Sequence, residues 1–224
     1  MINNYLTFFV ALLSVVAVTS NVIAVKVIDF RIFDTQVILP GSAFSYVFTF
    51  FLSTLIAELY GKKEALSAVK ISLFCQLISS LLIVITQWFP CSDQAMQQSY
   101  DAILGSNFAI FVANLVAVAI SQLTNISLFC KFKERSALSH LPKSLNSIWA
   151  FLSIVVSQAI DTLVFYSIAF GIGYKYFWTS KGQHDLAVMM LYQYTIKVAL
   201  SLVSTPAFYL VSKFKNVQKQ DTSY

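Results

Sequence analysis

Residues 147–171 read SIWAFLSIVVSQAIDTLVFYSIAFG, a long apolar run whose single formal charge, Asp161, falls near its middle. A helix of that length outspans the roughly 30 Å hydrocarbon core of a bilayer. The stretch therefore reads as a membrane span. Hydrocarbon offers backbone amides no partner, so the span must be a helix that satisfies them internally. Working outward, similar runs lie at roughly 5–28, 38–60, 66–88, 106–130 and 187–212, each ending at charges, Pro, Gly or Asn. The expected fold is an all-α membrane protein with six transmembrane helices.

Composition agrees. Hydrophobic residues make up 58% of the chain and charged residues 11%, against about 25% charged in soluble domains. Residues 1–212 are expected to form one six-helix transmembrane domain, and 213–224 a polar, unstructured tail. The start Met1-Ile2-Asn3-Asn4 lacks a basic region, so the first run reads as a span and not as a signal peptide. Pro206 should kink the sixth span, while Pro40 with Gly41 opens the second and Gly171 closes the fifth.

Basic residues set the orientation. Lys62, Lys63 and Lys70, then Lys131, Lys133, Arg135 and Lys143, then Lys213, Lys215 and Lys219 fall in three segments that an even helix count puts on one side. The positive-inside rule makes that side the cytoplasm, with both termini. Trp88, Tyr174, Tyr176 and Trp178 fall near the expected outer ends, where interfacial aromatics belong.

Several function classes are excluded. The net charge of +5 is spread over short loops, so no nucleic-acid partner is expected. Cys75, Cys91 and Cys130 show no paired spacing. His140 and His184 sit far apart in expected loops, which leaves nothing to hold a metal or run histidine catalysis. Around Gly61-Lys62-Lys63 the glycine spacing of a phosphate-binding loop is missing, so the chain encodes no ATPase. No cofactor is expected; membrane lipid is the main partner, and homo-oligomerisation is compatible with such a chain.

Four charges lie in or at the edge of spans: Lys26, Glu58, Asp161 and Lys197. Each costs about 2.5–3.5 kcal/mol at bilayer depth, so each should face the bundle interior or water. Asp161 and Lys197, near mid-span on consecutive helices, are the expected pair. That pair serves either as a structural salt bridge or as part of a solute site. Lys26 and Glu58 lie near helix ends, where snorkelling is the alternative to a site role. Gln122 and Asn125 stand three apart on the fourth span, as do Gln158 and Asp161 on the fifth, so each pair shares a helix face. The flanking residues, Ile120 to Asn125 and Val156 to Asp161, are alike enough to suggest an internal repeat. Single amides often only glue helices together. A concentration of carboxamides and a carboxylate at mid-depth instead suits the edge of a flat heterocycle, Asp161 accepting two hydrogen bonds from a guanine-like N–H and amino pair. Asn21 adds a polar group to the first span, and Phe44, Tyr46, Phe48, Phe165 and Tyr166 are candidates for stacking.

Five stretches in order carry a family resemblance: Thr19-Ser20-Asn21 with Lys26; Gly41 to Gly61, closing on Glu58-Leu59-Tyr60-Gly61-Lys62-Lys63; Ser121-Gln122; Ser157 to Thr162; and Tyr194 with Lys197. Over almost its whole length the chain resembles the queuosine-precursor transporter family. The resemblance implies a six-helix inner (plasma) membrane importer of deazaguanine bases or queuine, used for transfer RNA modification. It also implies Asn21, Lys26, Glu58, Gln122, Gln158, Asp161 and Lys197 as polar lining, to which the spacing adds Asn125. One departure stands out: where the family often has an Asp, four residues before Glu58, this chain has Thr54.

Two other classes compete with a self-sufficient importer. One is the substrate-binding membrane subunit of a multi-component, ATP-driven vitamin importer, identified by copurifying ATPase subunits. The other is a membrane enzyme or scaffold, which would carry a His, Ser or Cys dyad at matched depth.

Overall fold

The computed structural model describes residues 4–24, 26–32, 35–104, 108–139, 142, 145–169 and 180–221. In chain order these form α1 (Asn4–Ile23), a hairpin of β1 (Val27–Ile32) and β2 (Thr35–Pro40), α2 (Ala43–Tyr60), α3 (Lys62–Gln87), α4 (Gln94–Leu104), α5 (Phe108–Leu138), α6 (Asn146–Tyr166) and α7 (Ser180–Asp221). Six of these helices, all but α4, are long and apolar enough to cross a membrane. The protein is an all-α membrane protein, with the small hairpin as its sheet among the described residues. Gly171, Tyr174, Tyr176, Trp178 and His140 lie outside them.

At the first connection the boundaries differ from those expected. α1 stops at Ile23, and the next stretch pairs antiparallel with β2 from Val27↔Pro40 to Ile32↔Thr35. Val27, Ile28, Ile32, Thr35, Val37 and Ile38 are β-branched, which favours a pleated ribbon over continued helix. Gly41 locks the neck of this hairpin: its N–H donates to the Lys26 carbonyl at 2.7 Å, and a Cβ there would lie 2.6 Å from the Ile23 carbonyl oxygen. The end of α1 is thereby pinned to the start of α2.

α4 lies in a segment expected to be loop. Asp93 caps it, its Oδ1 accepting from the amides of Ala95 at 2.9 Å and Met96 at 3.3 Å. α7 remains one helix past Pro206 to Asp221, so the tail expected from residue 213 to be unstructured is helical through 221. No further helix breaker follows Pro206, and Lys and Gln are good helix formers.

α2 is the central helix. Its membrane window is 67% buried, against 22% or less for α1, α3 and α7, and it touches each of the other five membrane-long helices. Toward the lysine-bearing end, Leu52, Leu55 and Ile56 pack with Leu13, Ala65, Ala68, Ile126, Phe129 and Phe208 into an apolar core. The large side chains of α1 and α3 that face outward, such as Phe8, Phe74 and Leu82, are exposed. This distribution suits lipid as solvent: small and polar residues pack inside, and bulky apolar residues face out.

Candidate functional site

α6 carries a buried stripe of unusual chemistry. Asn146, Ser147, Ala150, Ser153, Ser157, Gln158, Asp161 and Thr162 share it with Ile154 and Tyr166. In hydrocarbon each buried polar group needs a partner, so the stripe must be read through its bonds.

Asp161 is the hub. Its Oδ2 accepts from the Lys197 ammonium on α7 at 2.9 Å, and its Oδ1 from the Ser121 hydroxyl on α5 at 3.2 Å. The expected Asp161–Lys197 pair is thus present, with both side chains more than nine-tenths buried. One turn earlier, Gln158 Nε2 donates to Ser201 Oγ at 3.0 Å, and Ser201 Oγ donates to the Lys197 carbonyl at 2.8 Å. Around this hub three buried oxygens have no partner among the described residues: Ser157 Oγ, Gln158 Oε1 and Thr162 Oγ1. Positions 157, 158, 161 and 162 fall on one face of α6. These oxygens are acceptors that no described residue occupies.

Gln122 and Asn125 also share a face, but they look the other way, onto α2. Gln122 Oε1 accepts from Ser53 Oγ at 2.6 Å and its Nε2 donates to Thr49 Oγ1 at 3.0 Å. Asn125 Nδ2 donates to Thr54 Oγ1 at 2.7 Å, while its buried Oδ1 has no partner among the described residues. Thr54, the position where the resembled family often has an acid, is fully buried and gives its own hydroxyl to the Phe50 carbonyl. Ser121 and Gln122, neighbours in sequence, therefore tie α5 to α6 and to α2 respectively.

The other expected site residues lie elsewhere. Glu58 sits toward the lysine-bearing end, paired with Lys133 on α5 at 2.6 Å and accepting from Asn146 Nδ2 on α6 at 3.2 Å. Asn21 lies at the hairpin end, where it bonds Tyr46, Gln76 and Asn114. Lys26 is exposed at the hairpin neck and is not brought to either group. Of the aromatics considered for stacking, Tyr46 and Tyr166 are buried, whereas Phe44 and Phe48 are largely exposed.

Residues 40–211, most of the chain, match the family model described as "Putative vitamin uptake transporter". The chain belongs to that family. No curated protein and no solved structure matches it. For a vitamin uptake transporter, the arrangement is apt: polar side chains on all six membrane-long helices are gathered inside a bundle whose outer face is apolar.

Sequence reasoning about this transporter missed Gln76, Asn114, Thr49, Ser53 and Ser201 as members of the polar interior. Gln76 and Asn114 had a usable signal, since each is a carboxamide inside an apolar run. Serines and threonines had none, because such hydroxyls can bond the carbonyl three or four residues back and sit in lipid without a site. Thr124 does so, only half-buried and bonding the Ile120 carbonyl at 2.7 Å.

Proposed function

We propose that this vitamin uptake transporter imports a flat nitrogen heterocycle of the deazaguanine class, a queuosine precursor or queuine, and that Asp161 reads its uncharged guanine-like edge. The observation that carries this reading is the buried Asp161 carboxylate with Lys197 beside it and the unpartnered Ser157, Gln158 and Thr162 oxygens on the same face. A guanine-like edge presents two adjacent N–H donors next to a carbonyl. The Asp161 carboxylate accepts both donors in a bidentate pair, and the Lys197 ammonium donates to the carbonyl. Gln158 Oε1 takes a further ring or amino N–H. Reading this edge brings no formal charge to the Asp161 level, because the edge is uncharged and Asp161 and Lys197 neutralise each other.

Access alternates around this level. On α2, Tyr46 and Glu58 are twelve residues apart, about 18 Å of helix, and the groups bonded to them stand on either side of the Asp161 level. Rocking of helices that opens one of these closures at a time would carry the solute across. The solute leaves unchanged, so no catalytic step is assigned.

The test is reconstitution. Purified protein in liposomes should accumulate labelled deazaguanine base without added nucleotide. Accumulation only when an ATPase complex is co-reconstituted would make the chain a binding subunit of a larger importer, and no accumulation under either condition would overturn the substrate assignment.

A further inference from the structure

At the hairpin end of the bundle a second polar group forms, chemically unlike the first. Asn21 on α1, Tyr46 on α2, Gln76 on α3 and Asn114 on α5 converge from four helices. Asn21 Nδ2 donates to Gln76 Oε1 at 3.0 Å, and Asn21 Oδ1 accepts from the Tyr46 hydroxyl at 2.8 Å. Asn114 Nδ2 donates to both Asn21 Oδ1 and the Tyr46 oxygen. Gln76 is fully buried, yet its Nε2 has no partner among the described residues. Asn21 and Asn114 are only half-buried, whereas Tyr46 and Gln76 are buried.

Nothing in this group carries a formal charge. Three carboxamides and a phenol offer donors and acceptors in alternation, which suits a neutral amide, lactam or heterocycle and gives nothing to a phosphate or carboxylate. Placement adds to this. Asn114 precedes Ser121 by seven residues on α5, about 10 Å of rise, so the group is separate from the Asp161 level and nearer the hairpin. Two of its members, Asn21 and Tyr46, stand on the helices that Gly41 pins together at the neck. Helix glue would be expected to leave a buried donor satisfied; a site that waits for a ligand leaves one open.

We infer that Asn21, Tyr46, Gln76 and Asn114 form a second solute station, which binds a neutral hydrogen-bonding heterocycle before it reaches Asp161. This inference rests on the import reading given above. The solute's carbonyl accepts from the open Gln76 Nε2 and one of its N–H groups donates to Asn21 Oδ1, while the Tyr46 hydroxyl and the Asn114 amide turn from Asn21 to the acceptors of the solute. The station selects on neutral hydrogen-bond pattern, and the Asp161–Lys197 level then selects on the guanine-like edge.

Calorimetric binding of 7-deazaguanine to the purified full-length protein in lipid nanodiscs tests it, read beside uptake by the same variants. Tyr46→Phe, Asn114→Leu and Gln76→Leu keep the shape of the packed residues, and the last removes the open donor. Each should weaken binding by about ten-fold or more, with thermal unfolding lowered far less than by Lys197→Met. Asp161→Asn should abolish uptake while the station still holds the probe. Binding that is unchanged in all three station variants, or that Asp161→Asn removes as completely as they do, overturns the station. The two assignments fail separately: unmodified protein that neither binds nor carries the base overturns both, whereas uptake with unaffected binding in the station variants overturns the station alone.

Discussion

Lys197 on α7 holds its ammonium 2.9 Å from Oδ2 of Asp161 on α6, inside an apolar bundle where both side chains are more than nine-tenths buried. The two helices are joined again one turn away through Gln158 and Ser201. Removing one member of a buried pair strands the other charge, which costs about 3–5 kcal/mol. Lys197→Met and Asp161→Asn should each lower thermal stability in detergent by that order. The double variant should recover most of the loss, since two neutral groups strand no charge. Equal instability of single and double variants would show that the pair acts on the fold by packing alone.

The Glu58–Lys133 pair should behave differently. The Lys133 side chain is 37% exposed, so water and salt screen it, and exposed pairs contribute about 0–1 kcal/mol. Lys133→Ala should therefore cost little, and raising salt should erase even that difference. The same salt series should leave the cost of Lys197→Met unchanged. Thermal unfolding of both variants at low and high ionic strength checks the contrast.

At the hairpin neck the limit is steric. A methyl group at position 41 would meet the Ile23 carbonyl oxygen at 2.6 Å and the Lys26 carbonyl oxygen at 3.1 Å. Backbone atoms on both sides leave no flexible tip to yield. Gly41→Ala should destabilise by about 1–3 kcal/mol, as overpacking does, and should speed hydrogen exchange at the hairpin amides. Wild-type exchange rates there would mean that the neck does not pin α1 to α2.

Gln122 is held by hydroxyls that have acceptors of their own: Thr49 bonds the Tyr46 carbonyl and Ser53 the Phe50 carbonyl. Gln122→Leu then strands no donor, and interhelical hydrogen bonds in membranes are worth only about 0.6 kcal/mol each. A loss near 1 kcal/mol in thermal unfolding is expected, well short of the effect of Lys197→Met.

The six spans were legible from run length and charge because the bilayer enforces both. The Asp161–Lys197 pair was legible for the same reason, as a lone buried charge is too costly to leave unmatched. Direction on a helix face was not. Spacing puts Gln122 with Asn125 and Gln158 with Asp161, and both faces exist, but one looks at α2 and the other at α7. Which neighbour a face meets is decided by helix packing, on which a single sequence is silent. The hairpin was obscured because only its ends, 27–28 and 38–40, fell inside apolar runs, while Asp29, Arg31 and Asp34 made the stretch between them read as a connection. α4 could have been found from Asp93 ahead of a polar-apolar segment, a capping signal that the search for long apolar runs passed over.

The central claim is that Asp161 meets the solute, and uptake measures it most directly. Cells that cannot make deazaguanine precursors, expressing this chain, should take up labelled base. With Asp161→Asn, present in the membrane at the wild-type level, uptake should fall to that of cells without the chain. Uptake undiminished by Asp161→Asn would contradict the account.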